Sequence, residues 1–249
     1  MTDAAPARTT VDGEEVAKFE AIAAEWWDPD GKFKPLHLMN PCRLDYILNQ
    51  IAGQFGTPRG RRALKGLSVV DVGSGGGLIA EPMARLGADV TGLEAAAGNV
   101  AVAAAHAATM GLTVDYRVET AEAAADRGAR FDVVIALEIV EHVADVPAFI
   151  DALGALVRPG GLLVMSTLNR TAKSWAGAIV GAERVLRWLP VGTHDWNRFL
   201  TPEELEAAIT GAGLEVVDSK GMVLNPVSGD WTLSDTDLSM NYILTAEKA

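Results

Sequence analysis

The sequence predicts an α/β fold, a mostly parallel sheet with helices on both faces. Three observations carry this. Short apolar segments rich in β-branched residues recur at 68–72, 89–93, 113–117, 131–136 and 162–167. Alanine-rich stretches of helical character separate them, and strand–helix alternation of this kind builds parallel sheets. The first segment runs straight into Gly73-Ser74-Gly75-Gly76-Gly77 and then a helical pattern over 78–86. Strand, glycine turn and helix form the unit that carries a nucleotide-like ligand across the top of such a sheet.

Each element can be justified in order. Residues 1–12 are small and polar, with no basic head and apolar run, so they read as a disordered tail and not a secretory signal. Over 14–27, Val16, Phe19, Ile22, Ala23 and Trp26 recur at helical spacing until Asp28-Pro29 stops the pattern. Pro35 and Pro41 bracket an extended passage, and a second helix is expected over 41–55. This makes 13–60 a helical extension ahead of a domain spanning 61–249. Arg158-Pro159-Gly160-Gly161 turns the chain into the fifth strand. Thr201-Pro202-Glu203-Glu204 opens a helix with a threonine cap, a proline in the first turn and a carboxylate returning to the cap. The last two strands, near 214–217 and 240–246, flank an irregular passage over 221–237 and are expected to pair antiparallel.

Composition narrows the function classes. At 249 residues and 49% hydrophobic, the chain can bury one substantial core. Its formal net charge of −12 argues against nucleic acid as a partner, since neutralising phosphates needs a basic field. One cysteine, Cys42, leaves no disulfide framework and points to a reducing, cytoplasmic setting. No stretch approaches the ~20 apolar residues of a membrane span, so a soluble or peripheral protein is expected.

The glycine loop indicates which ligand. A dinucleotide fingerprint needs a third glycine where this chain has Leu78, and no phosphate-loop lysine follows. A wide glycine loop without that third glycine suits a ligand lacking pyrophosphate, such as S-adenosylmethionine. Glu94 stands about 20 residues on, at the end of the second strand, where a carboxylate accepts from ribose hydroxyls. The alternatives are a nicotinamide-dependent dehydrogenase, which Leu78 disfavours, and a binding module without catalysis. Glu138, Glu141 and His142 stand at i, i+3 and i+4. Were Glu138 to open a helix, all three would project on one side toward a single cation. Acids in a first helical turn can equally answer the helix dipole. His194 and Asp195 are a second candidate base pair. In the insertion over 171–198, Trp175, Ile179, Ala182, Leu186 and Leu189 form one helical stripe, with Lys173, Arg184 and Arg187 beside it. That pattern fits a helix lying on anionic lipid, or a lid on the domain core.

Several segments are narrower signals. Trp26-Trp27-Asp28-Pro29, Phe33-Lys34-Pro35-Leu36-His37, Asn40-Pro41-Cys42-Arg43-Leu44, Asp71 to Gly77, Glu138 to Val143, Ser166-Thr167-Leu168-Asn169-Arg170, Gly192-Thr193-His194-Asp195 and Tyr242 together resemble the bacterial ubiquinone biosynthesis O-methyltransferase family. The likeness spans nearly the whole chain after the tail. It implies the Rossmann-like, seven-stranded class I methyltransferase fold with its last strand antiparallel. It also implies methylation of a phenolic hydroxyl on a polyprenylated benzenediol and on a demethylubiquinol, with another small-molecule phenol O- or ring C-methyltransferase as the closest alternative. By position, Arg43, Gly73, Glu94 and Leu137 would contact S-adenosylmethionine, with Arg43 gripping its carboxylate. Glu138, Glu141 and His142 would be catalytic and hold a divalent metal; the two carboxylates suit magnesium, whereas the imidazole would equally accept zinc or manganese. The implied partners are the polyprenyl substrate, a ubiquinone biosynthesis complex and, through 173–190, the inner face of the cytoplasmic membrane. Two departures stand out: Ser74 replaces the usual loop cysteine, and Glu94 replaces the usual aspartate.

Overall fold

A computed structural model of the chain describes residues 10–58, 60–177, 179, 192–193, 195–225 and 228–249. Eight strands form one sheet: β1 (Ser68–Val72), β2 (Asp89–Glu94), β3 (Asp115–Val118), β4 (Phe131–Leu137), β5 (Val157–Leu168), β6 (Glu215–Leu224), β7 (Trp231–Ser234) and β8 (Asn241–Glu247). Their spatial order is β3-β2-β1-β4-β5-β8-β6-β7. The first five pair in parallel, whereas β8 runs antiparallel to both β5 and β6. The chain leaves β1 toward β2 on one side and reaches β4 on the other. That reversal opens a crevice at the carboxyl ends of β1 and β4, where open α/β sheets bind ligands.

Alternation along the central strands divides the core. Val134 and Ala136 pack on one face with Phe149, Leu153 and Ile209. Val133 and Ile135 pack on the other with Tyr46, Ile47, Ile51 and Met83. Successive strand side chains point to opposite faces, so both faces of this sheet are buried by helices. These are α1 (Gly13–Glu20), α2 (Lys34–Phe55), α3 (Ala80–Arg85), α4 (Ala97–Thr109), α5 (Ala121–Asp126), α6 (Val146–Leu156), α7 (Ala172–Ser174) and α8 (Pro202–Gly211). The capping box at Thr201 is formed in both directions: Thr201 accepts from the Glu204 N–H and Glu204 accepts from the Thr201 N–H.

Four expectations need correction. The sheet has eight strands, not seven, because β6 extends through Leu224 and pairs with β7 inside the passage read as irregular. The helix expected over 14–27 ends at Glu20, and a 3-10 turn, Ala23–Glu25, follows it. The second helix begins at Lys34 and runs through Pro41. Pro35 lies in its first turn, where no N–H partner is needed, and Pro41 removes a single later bond. Of the tail, residues 1–9 lie outside the described residues, but 10–12 are bound to the domain. The Thr10 carbonyl accepts from the Ala144 N–H at 2.8 Å, Thr10 Oγ1 donates to Glu122, and Asp12 caps α1 while pairing with Arg198 at 3.0 Å.

Candidate active site

The glycine loop closes over the end of β1. Gly73 has φ +72°, and a Cβ there would stand 2.3 Å from Ile139 Cδ1. Gly75 has φ +51°, and its Cβ would overlap the Trp26 indole at 2.4 Å. Positive φ and close approach together leave room only for glycine. The N–H groups of Gly73 and Ser74 donate to the Leu93 carbonyl at 2.8 and 3.1 Å, tying the loop to β2. Ser74 turns its hydroxyl inward and is buried, so the exchange of cysteine for serine leaves the ligand-facing backbone intact. Leu78, at the missing third glycine, is buried with Ala23, Trp26 and Phe33.

A cleft of about 1160 Å³, mouth included, opens at this loop. Arg43, Gly73, Glu94, Leu137, Glu138 and His142 all line it. Glu94 accepts from the Gly75 N–H at 3.0 Å and the Ala96 N–H at 2.8 Å. Burial raises its pKa against the opposing effect of those bonds and of the Asn99 amide. Asp71 is pushed up to about 7 by burial, with Glu94 repelling its charge and the Ala80 N–H and Arg43 favouring it.

Arg43, on α2, is 3% exposed. Its Nη2 lies 3.1 Å from Glu138 Oε1 as an ion pair, but neither Nε nor Nη2 makes a hydrogen bond among the described residues. Buried donors without acceptors are costly. A fork left in that state at the cleft wall is suited to an incoming carboxylate.

Glu138 follows β4 with φ +50°, the one non-glycine residue with positive φ among the described residues. Its carboxylate accepts from Ser166 Oγ at 2.7 Å and from Asn241 Nδ2 at 3.1 Å. Glu141 accepts from Thr167 Oγ1 at 2.8 Å, while its Oε1 is buried with no hydrogen bond. His142 Nδ1 lies 2.9 Å from Glu15 Oε2, and the Phe19 ring stands edge-on to the imidazole at 5.2 Å. Burial lowers the His142 pKa, but the Glu15 bond and the charges of Glu141, Glu15 and Glu138 outweigh it and leave it raised. The His142 bond in turn holds Glu15 at about 2. Burial and the Glu138 charge raise Glu141.

The one-sided helical face expected of Glu138, Glu141 and His142 is not built. Glu138 sits outside helical φ/ψ space, and only the short 3-10 turn Val140–His142 follows it. Glu141 therefore faces a second, polar cavity, whose wall also includes His142 and Glu15. Among the described residues no group of three or more His, Cys, Asp or Glu side chains is arranged to hold a metal ion. His194 lies outside the described residues, and Asp195 caps the 3-10 turn Trp196–Arg198. Residues 178 and 180–191 of the amphipathic stripe also lie outside them; Trp175 is exposed and Lys173 pairs with Asp237.

Sequence reasoning overlooked Trp26, Asp71, Asn99, Ser166, Thr167 and Asn241 as parts of the site. The Ser-Thr-Leu-Asn-Arg run was legible as a family mark, but its task, holding two carboxylates, needs the pairing of β4, β5 and β8.

Comparison with known proteins shows the family and the fold. A methyltransferase-domain family profile matches residues 42–219. A ubiquinone biosynthesis O-methyltransferase of Ruegeria pomeroyi is 59% identical over 94% of this chain and 95% of its own length. Its Cereibacter sphaeroides counterpart is 60% identical over 95% and 96%. The chain belongs to the ubiquinone biosynthesis O-methyltransferase family. The fold of this family member is shared more widely. Magnesium protoporphyrin IX methyltransferase from Synechocystis, solved with bound S-adenosylmethionine, superposes with a TM-score of 0.64 at 16% identity, covering 97% of this chain and 100% of that one. A methyltransferase from Thermotoga maritima gives 0.62 at 17% identity, covering 94% and 100%.

Proposed function

We propose that the chain is an S-adenosylmethionine-dependent O-methyltransferase of ubiquinone biosynthesis, acting on a phenolic hydroxyl of a polyprenylated benzenediol or quinol. The observation that carries the reading is the juxtaposition, in one cleft, of a glycine loop, a carboxylate at the end of β2 and a buried arginine whose Nε and Nη2 make no hydrogen bond among the described residues. In this reading Glu94 accepts from the ribose, Gly73 lets the donor approach the backbone, Leu137 packs against it and Arg43 takes the methionine carboxylate. The surrounding acids Asp71, Glu94 and Glu138 favour a cationic donor through simple Coulomb attraction.

Methyl transfer is an in-line displacement. The phenolic oxygen forms a bond to the methyl carbon while the carbon–sulfur bond breaks, and sulfur keeps the electron pair as a neutral thioether. The phenolic proton leaves to the Glu138, Glu141 and His142 group, which adjoins the donor cleft. Holding oxygen, carbon and sulfur in line supplies much of the rate. A free phenol has a pKa of about 10, so a nearby proton acceptor adds to it.

A divalent cation, magnesium by donor chemistry, belongs to the same proposal. The family likeness is its support; as folded, Glu138, Glu141 and His142 are not arranged to hold an ion, and the transfer above runs through no metal. On that likeness chelation should abolish turnover and added magnesium restore it; full activity after chelation would remove the ion from the account.

No helix among the described residues is long and apolar enough to cross a membrane. The pattern over 173–190 and the greasy tail of the substrate support peripheral contact with anionic lipid. Flotation with anionic liposomes should fall in a Trp175→Glu, Trp188→Glu double variant, and unchanged flotation would reject that contact. The family likeness also supports a place in a biosynthetic complex. The function itself is tested by incubating the protein with methyl-labelled donor and a short-tailed benzenediol. Label is expected on one ring oxygen; label on a ring carbon, or none, would overturn the reading.

A further inference from the structure

The Trp26-Trp27 pair, a narrow family mark, has no role in the mechanism above. Its two indoles reach the same place by different routes. Trp27 Nε1 donates to the Gly76 carbonyl at 2.9 Å, and its ring stacks on His106 at 3.5 Å with the planes 9° apart. The residue before Gly76 is Gly75, whose N–H donates to Glu94 Oε2. Trp26 Nε1 donates to Asn99 Oδ1 at 3.0 Å, and its ring stacks on Phe33 at 3.7 Å. Asn99 lines the same cleft as Glu94 and favours the charged form of that carboxylate. Trp26 and Asn99 are both buried.

We propose that Trp26 and Trp27 are positioning residues for ribose recognition, acting on Glu94 through Asn99 and through the Gly75–Gly76 backbone. This rests on Glu94 being the ribose acceptor. The geometry makes the helical extension part of the donor site. Without the Trp26 N–H the Asn99 amide is free to turn over, and without the Trp27 N–H the Gly76 peptide loses its anchor. Either change loosens a support beside Glu94 and spoils its aim at the sugar.

The test is a double-mutant cycle on the affinity of the full chain for S-adenosylhomocysteine, measured by calorimetry. Phenylalanine keeps each stacked ring and removes only the donor. Trp26→Phe and Trp27→Phe should each weaken binding about three- to tenfold, the scale of one lost hydrogen bond, raising the donor KM with little change in kcat. In a Glu94→Gln background the same substitutions should cost almost nothing, because interacting residues are non-additive. Equal penalties in both backgrounds, or a fall in melting temperature with unchanged affinity, would overturn the proposal. Failure of the unmutated protein to bind would instead overturn the donor site itself.

Discussion

Arg43 illustrates how one side chain can be read as a ligand contact from what it lacks. Its buried fork has a carboxylate beside it but no hydrogen bond from Nε or Nη2. Arg43→Met should therefore cost about tenfold or more in affinity for S-adenosylhomocysteine, the range of a charged hydrogen bond lost, with binding measured by calorimetry. Asp71 sets a pH dependence. It titrates at about 7 when the cleft is empty because burial disfavours its charge. A cationic donor favours the ionised form, so binding releases a proton below that pH. Affinity should rise with pH up to about 7 and level off above it; affinity that is flat from pH 5 to 8 would contradict this. His142 is the cleaner probe of chemistry, since Glu138 also touches Arg43. His142→Ala should lower turnover about 100-fold or more while donor affinity stays within about twofold.

At the scale of elements, legibility depended on whether local pattern and tertiary partner agreed. β1 was readable at Ser68–Val72 because its β-branched run ends in glycine, and the Thr201 box was readable because every group in it lies within four residues. β7 was not, for Trp231–Ser234 is a strand only through its pairing with an extended β6. The turn at Glu138 failed for a different reason. Helical spacing over 138–142 is real in the sequence, but Ser166, Asn241 and Arg43, all distant in the chain, draw the Glu138 carboxylate to the end of β4. A non-glycine residue at positive φ stores roughly 1–3 kcal/mol of strain. Glu138→Gly relieves that strain but strands buried Arg43, Ser166 and Asn241 without their carboxylate partner, so it should lower the melting temperature while turnover is lost. The Thr201 cap gives a stability control: Thr201→Ala should cost about 1 kcal/mol and lower the melting temperature by about 2–4 °C without affecting donor binding.

The whole molecule explains why the extension and the sheet cannot be treated apart. Arg43 comes from α2, the glycine loop from the end of β1, and Glu94 from β2. Glu15 and the two tryptophans come from the first 27 residues. The core says the same, since Tyr46, Ile47 and Ile51 of α2 pack with Val133 and Ile135 of the central sheet. Most of the candidate site was legible in sequence, as the loop, the acid after β2 and the family marks fall in local runs. Its supports were not, because Asn99, Trp26 and Asn241 meet their partners only once the sheet order β2-β1-β4-β5-β8 is formed.

Calorimetric titration with S-adenosylhomocysteine, run beside NAD, tests most directly whether this cleft holds the adenosyl and amino-acid parts of the donor. The account predicts one site per chain for the former, weakened at least tenfold by Glu94→Ala, and no heat from the dinucleotide. Absence of binding, or binding indifferent to Glu94, would contradict it.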